Sequence, residues 1–153
     1  MLFPDTQAPV VKRGGEMKKF YGMLCVVICK QKVLLLKRSP TKKFFPNKWA
    51  MVGAAPLTPT DNMLAIALRE IRDELGVEGK ILKEGEEIIN KIIEGEEVTE
   101  WHILPFLAEI DTEDIVLNSE HTQFVWVKPK EIEKYDIPEE LKLIFRRMLG
   151  RLL

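Results

Sequence analysis

Cysteine is scarce in this chain: two among 153 residues, Cys25 and Cys29, both inside one apolar run. In an extended strand they would share a face but lie ~13 Å apart, beyond the reach of a disulfide. A disulfide framework is therefore excluded, and two buried thiols acting as small hydrophobes in a reducing cytoplasm are expected. Aromatic residues are also few, at 8%, and no apolar run approaches the ~20 residues of a membrane helix. The first residues lack a basic stretch followed by an apolar one, so no secretory signal is read there. The net charge is −1, which excludes a chain-wide basic field for nucleic acid or anionic lipid. An anionic substrate must then meet positive charge supplied locally or by bound metal. Zinc-ligand spacings, a Ser-His-Asp arrangement and a phosphate-cradling glycine loop are absent too.

What is present is the material of one globular domain. Hydrophobic residues make up 46% and charged residues 31%, enough for a single core at this length. Residues 1–16 carry two prolines and a Gly-Gly pair without periodicity, and read as a flexible arm or an added strand around Val10. Residues 17–153 read as the domain. Met23–Cys29 is nearly all apolar, as in a strand covered on both faces, and a polar turn at Lys30–Lys32 makes a hairpin with Val33–Leu36. A basic loop, Lys37–Lys48, leads to a short strand, Trp49–Val52, and a further loop, Gly53–Thr60.

The clearest helix follows. Asp61 or Thr60 is placed to cap its start and Gly76 to end it in a left-handed turn. Leu64, Leu68, Ile71 and Leu75 fall on one side, as a core-facing stripe should. Glu86–Ile93 and Val98–Ile110 read as strands joined at Glu94-Gly95, and Phe124–Lys128 as another after a polar loop. Pro138 opens a last helix with Glu139 and Glu140 in its first turn and Arg146, Arg147 and Arg151 near its end, which suits the helix dipole at both ends. The expected architecture is α/β, a mixed sheet flanked by helices.

At 100° per residue, Glu70, Asp73 and Glu74 cluster roughly 130° from the apolar stripe. Three neighbouring carboxylates repel unless cations lie between them, and magnesium takes carboxylate oxygens while keeping sites for water and substrate phosphate. Acidic triplets on helices are most often solvated faces, so spacing alone leaves both readings open.

The surrounding string, WAMVGAAPLTPTDNMLAIALREIRDELGV from Trp49 to Val77, resembles the Nudix box, G-x5-E-x7-R-E-U-x-E-E-x-G-U with U a bulky aliphatic. Arg69, Glu70, Ile71, Glu74, Gly76 and Val77 match it; Asp61 and Asp73 stand in place of Glu, and Ala55 in place of Gly. The strand VLLLKRS and the late segment LNSEHTQFVWV are also similar to the family. The resemblance implies a Nudix-type α/β/α sandwich with a mixed β-sheet between helices. It implies a pyrophosphatase that uses Mg2+ or Mn2+ to cut a phosphoanhydride bond in a nucleoside-diphosphate-linked small molecule, a nucleoside triphosphate or a nucleotide sugar. Nucleic acid and membrane are not expected partners; a homodimer is possible, the oligomeric state being open.

By the same resemblance Glu70, Asp73 and Glu74 ligate the metal, with the backbone carbonyl of Ala55 assisting. Arg69 orients the acids, and Arg38 contacts substrate phosphate. Glu120 supplies the further acid that the family places outside the box, as metal ligand or general base, with Glu97 and Glu100 as other candidates; His121 beside it is read as a loop histidine. Arg69, Glu74 and Glu120 are thus the catalytic candidates. Phe44, Phe45 and Trp49 flank the box and are candidates to stack a base, though core packing is the commoner role of such rings.

Each departure has a physical consequence. Aspartate withdraws its oxygens by ~1.5 Å relative to glutamate, so Asp73 is expected to reach a metal through a bridging water. Alanine at position 55 bears a cost if that site needs a positive φ. These replacements motivate an alternative, a catalytically weak Nudix-fold module that binds a nucleotide. A third reading, an isopentenyl-diphosphate isomerase, draws on the look of KKFFPNKWAMVGAAP but lacks the cysteine that group needs after the tryptophan, where Gly53, Ala54, Ala55 and Pro56 stand.

Overall fold

A computed structural model describes residues 17–42 and 45–150. The arm of residues 1–16, Lys43, Phe44 and Arg151 lie outside the described residues. The long first strand, β1 (Lys18–Cys29), is the spine of an eight-stranded mixed sheet. Its alternation serves two cores. Met23, Cys25, Val27 and Cys29 point to one face, and Leu24 and Val26 to the other. Both cysteines are therefore buried on the same face as free thiols, as a doubly covered strand requires.

β1 turns into β2 (Lys32–Arg38) through Lys30 and Gln31, which both take positive φ, 50° and 67°. This two-residue turn matches the right-handed twist of the flanking strands. β3 (Trp49–Ala50) pairs with β2, and β4 (Val52–Leu57) pairs with β1. The expected loop at Gly53–Thr60 is thus a strand in its first half. Small buried residues, Gly53, Ala54 and Ala55, let this backbone lie close against Met23 and Leu24. Ala55 sits there in extended conformation and is not among the residues with positive φ. The anticipated strain at this position does not arise.

α1 (Met63–Leu75) follows. β5 (Lys80–Glu84) is an edge strand that the sequence pattern did not announce, because only Ile81 of KILKE is even half-buried. Backbone pairing with β7 (Glu97–Glu109) holds it there. β6 (Ile88–Glu94) forms a hairpin with the start of β7, and β7 runs parallel to β1 over eleven register pairs, from Lys18↔Thr99 to Ile28↔Glu109. β8 (His121–Val127) begins three residues earlier than the apolar pattern suggested and pairs with β2. A 3-10 helix (Pro129–Lys134) and α2 (Glu139–Leu149) close the described chain. α1 covers the face of Met23, Cys25 and Val27, and α2 the face of Leu24 and Val26. The result is a helix–sheet–helix sandwich.

Two details of α1 differ from expectation. Asn62 caps the helix, its Oδ1 accepting from the Ala65 N–H at 3.1 Å, while Asp61 accepts from the Thr58 N–H at 2.7 Å in the preceding turn. The buried positions are Ala67, Ile71, Glu74 and Leu75, whereas Leu64 is 44% exposed. The helix is rolled so that the small Ala67 approaches the sheet, and this roll carries Glu74 inward. Gly76 ends the helix as expected, at φ 72°, with its N–H donating to the Arg72 carbonyl at 2.9 Å.

Candidate active site

Glu74 lies in the last turn of α1 and is completely buried. It occupies a core position, three residues beyond Ile71 and seven beyond Ala67. Opposite stands β4, whose Gly53 N–H donates to Glu74 Oε2 at 3.4 Å. Burial pushes the Glu74 carboxyl well above the usual range, and the neighbouring carboxylates of Glu120 and Glu70 add to the rise.

Glu120 and His121 approach from the other side, where the loop before β8 meets the end of β2. Ser39 N–H donates to the Glu120 carbonyl at 3.0 Å, Asn118 Oδ1 accepts from the Glu120 N–H at 3.1 Å, and Lys42 Nζ stands 3.7 Å from Glu120 Oε1. The β2–β8 register shifts between Lys37 and Arg38, so that Arg38 pairs with His121. Irregularities of this kind re-aim side chains at strand ends, and here His121 is aimed at Glu74, with Nδ1 3.6 Å from Glu74 Oε1. His121 is a buried strand residue, not a loop histidine. Burial holds its pKa down to about 4, with the positive charges of Arg38 and Lys42 acting in the same direction against Glu120, so its ring is neutral at pH 7. Among the described residues, neither ring nitrogen has a hydrogen-bond partner.

Glu74, Glu120 and His121 each bring one donor atom into a group whose members lie within 4.8 Å of one another. Two carboxylates and an imidazole at such separations suit a divalent cation with ligand bonds of about 2.0–2.2 Å. The fully buried Glu74 carboxylate and the buried imidazole of His121 beside it, converging with Glu120, are the observations that make the fit. Aligning such a pattern from one helix alone could not find His121; its signal was a polar EHT segment abutting the last apolar strand.

The other expected residues fall as follows. Glu70 is largely covered, with Arg69 NH2 3.6 Å from its Oε1, while Arg69 itself is 56% exposed. Asp73 is exposed and does not join the converging group. Ala55 is buried in β4 near Gly53. Arg38 is fully buried, not a surface arginine. Phe45 is half-buried in the β2–β3 loop at φ 52°. Trp49 meets Tyr135 edge-on at 5.5 Å and packs on the α2-side core, with Lys37 Nζ 5.9 Å from its ring centre. Glu100 is turned to His102 and Lys91, and Glu97 is exposed at the start of β7. On the α2 side, a cleft of about 290 Å3 is lined by Leu24, Trp101, Ile103, Leu141 and Ile144 among others. Leu24, which lines this cleft, is the register partner of Gly53 in β4.

Comparison with known proteins agrees with this fold. The model of the NUDIX domain matches residues 19–148, and the chain belongs to the Nudix family. It is a hydrolase of that family. A nucleoside triphosphatase, NudI, of Salmonella paratyphi B is 32% identical over 112 residues, covering 68% of this chain and 78% of the relative. Among solved structures, a MutT protein from Methanosarcina mazei Go1 superposes with a TM-score of 0.71 at 19% identity, covering 86% of this chain and 94% of the other. The NUDIX domain of Shewanella oneidensis NrtR, complexed with ADP ribose, gives 0.65 at 14% identity and 94% coverage of both chains. Among the described residues, no helix is long and apolar enough to cross a membrane.

Proposed function

We propose that this chain hydrolyses a phosphoanhydride bond of a nucleoside triphosphate, with nucleotide sugars as the neighbouring substrate class, in a reaction that depends on Mg2+ or Mn2+. The observation that carries this reading is the buried Glu74 carboxylate facing Glu120 across the end of α1. A carboxylate placed there in the absence of a role would only destabilise the fold. The nucleoside triphosphatase relative supports a triphosphate over other substrates.

Glu70, Glu74 and Glu120 would hold the cation, with the Ala55 carbonyl assisting and Asp73 reaching it through water from its exposed position. Such an ion neutralises phosphate charge and lowers the pKa of an attacking water. Glu120, half-buried and next to Lys42, would take the proton from that water. Arg69 holds Glu70 in orientation by the contact between their side chains. Arg38 contributes positive charge at the end of β2, where the phosphates would lie. The apolar cleft beside Trp101 and Ile103 is sized at the lower end of small-molecule sites and suits a base or ribose; Phe45, half-buried in the β2–β3 loop, would contribute a ring to substrate binding. Trp49, already engaged with Tyr135, would act by packing. Two buried free thiols fit a reducing compartment such as the cytoplasm.

Purified protein incubated with each of the eight common ribo- and deoxyribonucleoside triphosphates, and with nucleotide sugars, tests the reading by chromatography of the products: nucleoside monophosphate with pyrophosphate, or diphosphate with orthophosphate, from the triphosphates, and nucleoside monophosphate with sugar phosphate from the nucleotide sugars. Turnover that needs divalent metal and disappears in Glu74→Gln is expected. Absence of turnover on every compound would overturn it. The exposed Asp73 favours a second reading, a weak nucleotide-binding module, which wins if nucleotides bind with no hydrolysis to lose.

A further inference from the structure

Within the acidic centre, His121 stands apart from what carboxylate chemistry requires. Its side chain is 1% exposed, both ring nitrogens lack hydrogen-bond partners among the described residues, and Nδ1 is aimed at Glu74 Oε1 across 3.6 Å. A buried polar ring with neither nitrogen satisfied lowers stability, and a bound cation would remove that cost at one nitrogen. The separation from Glu74 is too long for a hydrogen bond and suits two ligands of one ion. The register shift opposite Arg38 and the Ser39–Glu120 backbone bond hold the ring in this orientation.

We propose that His121 is a nitrogen ligand of the divalent cation held by Glu74 and Glu120, and that this makes the site selective for late first-row ions such as Co2+, Ni2+ and Zn2+ over Mg2+. The inference rests on the reading of the centre as a cation site and adds the identity of its ligands. Imidazole nitrogen is a softer donor than carboxylate or water. It raises affinity along the first-row series while offering magnesium, a hard oxygen-seeking ion, little. A site of carboxylates alone would show the same order with a much narrower spread.

The test uses the untagged full chain, stripped with chelator and titrated calorimetrically with MgCl2, MnCl2 and CoCl2. Pulsed electron paramagnetic resonance of the Mn2+-loaded protein reads directly whether a 14N nucleus is bound to the metal. Expected are a directly coupled 14N signal, Co2+ binding at least ~100-fold tighter than Mg2+, and loss of about 10–100-fold of the Co2+ affinity in His121→Gln with a far smaller change for Mg2+. The nitrogen signal on the unmodified chain needs no variant, so a His121→Gln protein that folds poorly does not blunt the test. Absence of 14N coupling, or an unchanged Co2+-to-Mg2+ ratio in a folded His121→Gln, overturns the proposal. Triphosphate turnover without nitrogen coupling removes only the histidine ligand. Nitrogen coupling without turnover of any nucleotide removes only the hydrolase reading.

Discussion

Replacing Glu74 with glutamine should make the metal-free protein more stable while removing its activity. The wild-type carboxylate is buried beside Glu70 and Glu120, with its pKa raised chiefly by loss of solvent. Glutamine is isosteric. Its oxygen still accepts from the Gly53 N–H, now at 3.4 Å, and its NH2 can donate toward His121 Nδ1, 3.6 Å from the present Oε1. Relief of the desolvation cost of one buried ionisable carboxyl corresponds to ~1–3 kcal/mol. For a domain of this length each kcal/mol moves Tm by about 2–4 °C, so the variant should melt roughly 2–12 °C higher in the presence of chelator.

The pH dependence has a definite sign. A carboxyl whose folded pKa lies above its unfolded value contributes stability that is fully present below the unfolded pKa and lost as pH rises through the folded pKa. Glutamine does not titrate, so the Tm gap between Glu74→Gln and wild type should be small near pH 4 and widen toward neutrality. Saturating Mn2+ should close or invert it, because the ion stabilises only the carboxylate form of the site. Differential scanning calorimetry from pH 4 to 8, with and without metal, checks all three statements. If the metal-free variant melts below wild type at pH 7 with its packing intact, the idea that Glu74 is held at a cost for cation binding fails.

Other outcomes follow from the same geometry. Asp73→Asn, exposed and outside the converging group, should lower kcat/KM by less than about 10-fold, whereas Glu120→Gln should lower it by roughly 100-fold or more; steady-state kinetics compares them. Lys30→Asn with Gln31→Gly should relieve two left-handed residues in the β1–β2 turn and raise Tm by about 2–4 °C, read by thermal denaturation. Gly76→Ala forces alanine to φ 72° and should cost ~1–2 kcal/mol. Because that turn also sets the direction of Glu74, its metal affinity by calorimetry should fall as well.

The box was legible because its chemistry is local. Arg69, Glu70, Glu74 and Gly76 are separated by fixed helical steps, and a left-handed stop at Gly76 needs no information from elsewhere. The roll of α1 was not legible. Leu64 looked as good a core residue as Leu68, and only the close approach of Ala67 to the sheet decided that Leu64 would be exposed. β4 and β5 were missed for a related reason: both are strands by virtue of the neighbour that pairs with them, β1 and β7, rather than by alternation in their own residues.

From the order of its residues this chain determined a doubly covered first strand, an acidic helix closed by Gly76, and kinship with a family that cuts phosphoanhydrides. Those features depend on interactions within a few residues, where periodicity and backbone preference act. The tertiary structure alone decided that Glu74 meets Glu120 and His121, which lie more than forty residues further along the chain, and that Asp73 faces away. Such convergence depends on the β2–β8 register and the roll of one helix, and both are set by packing across the whole sheet.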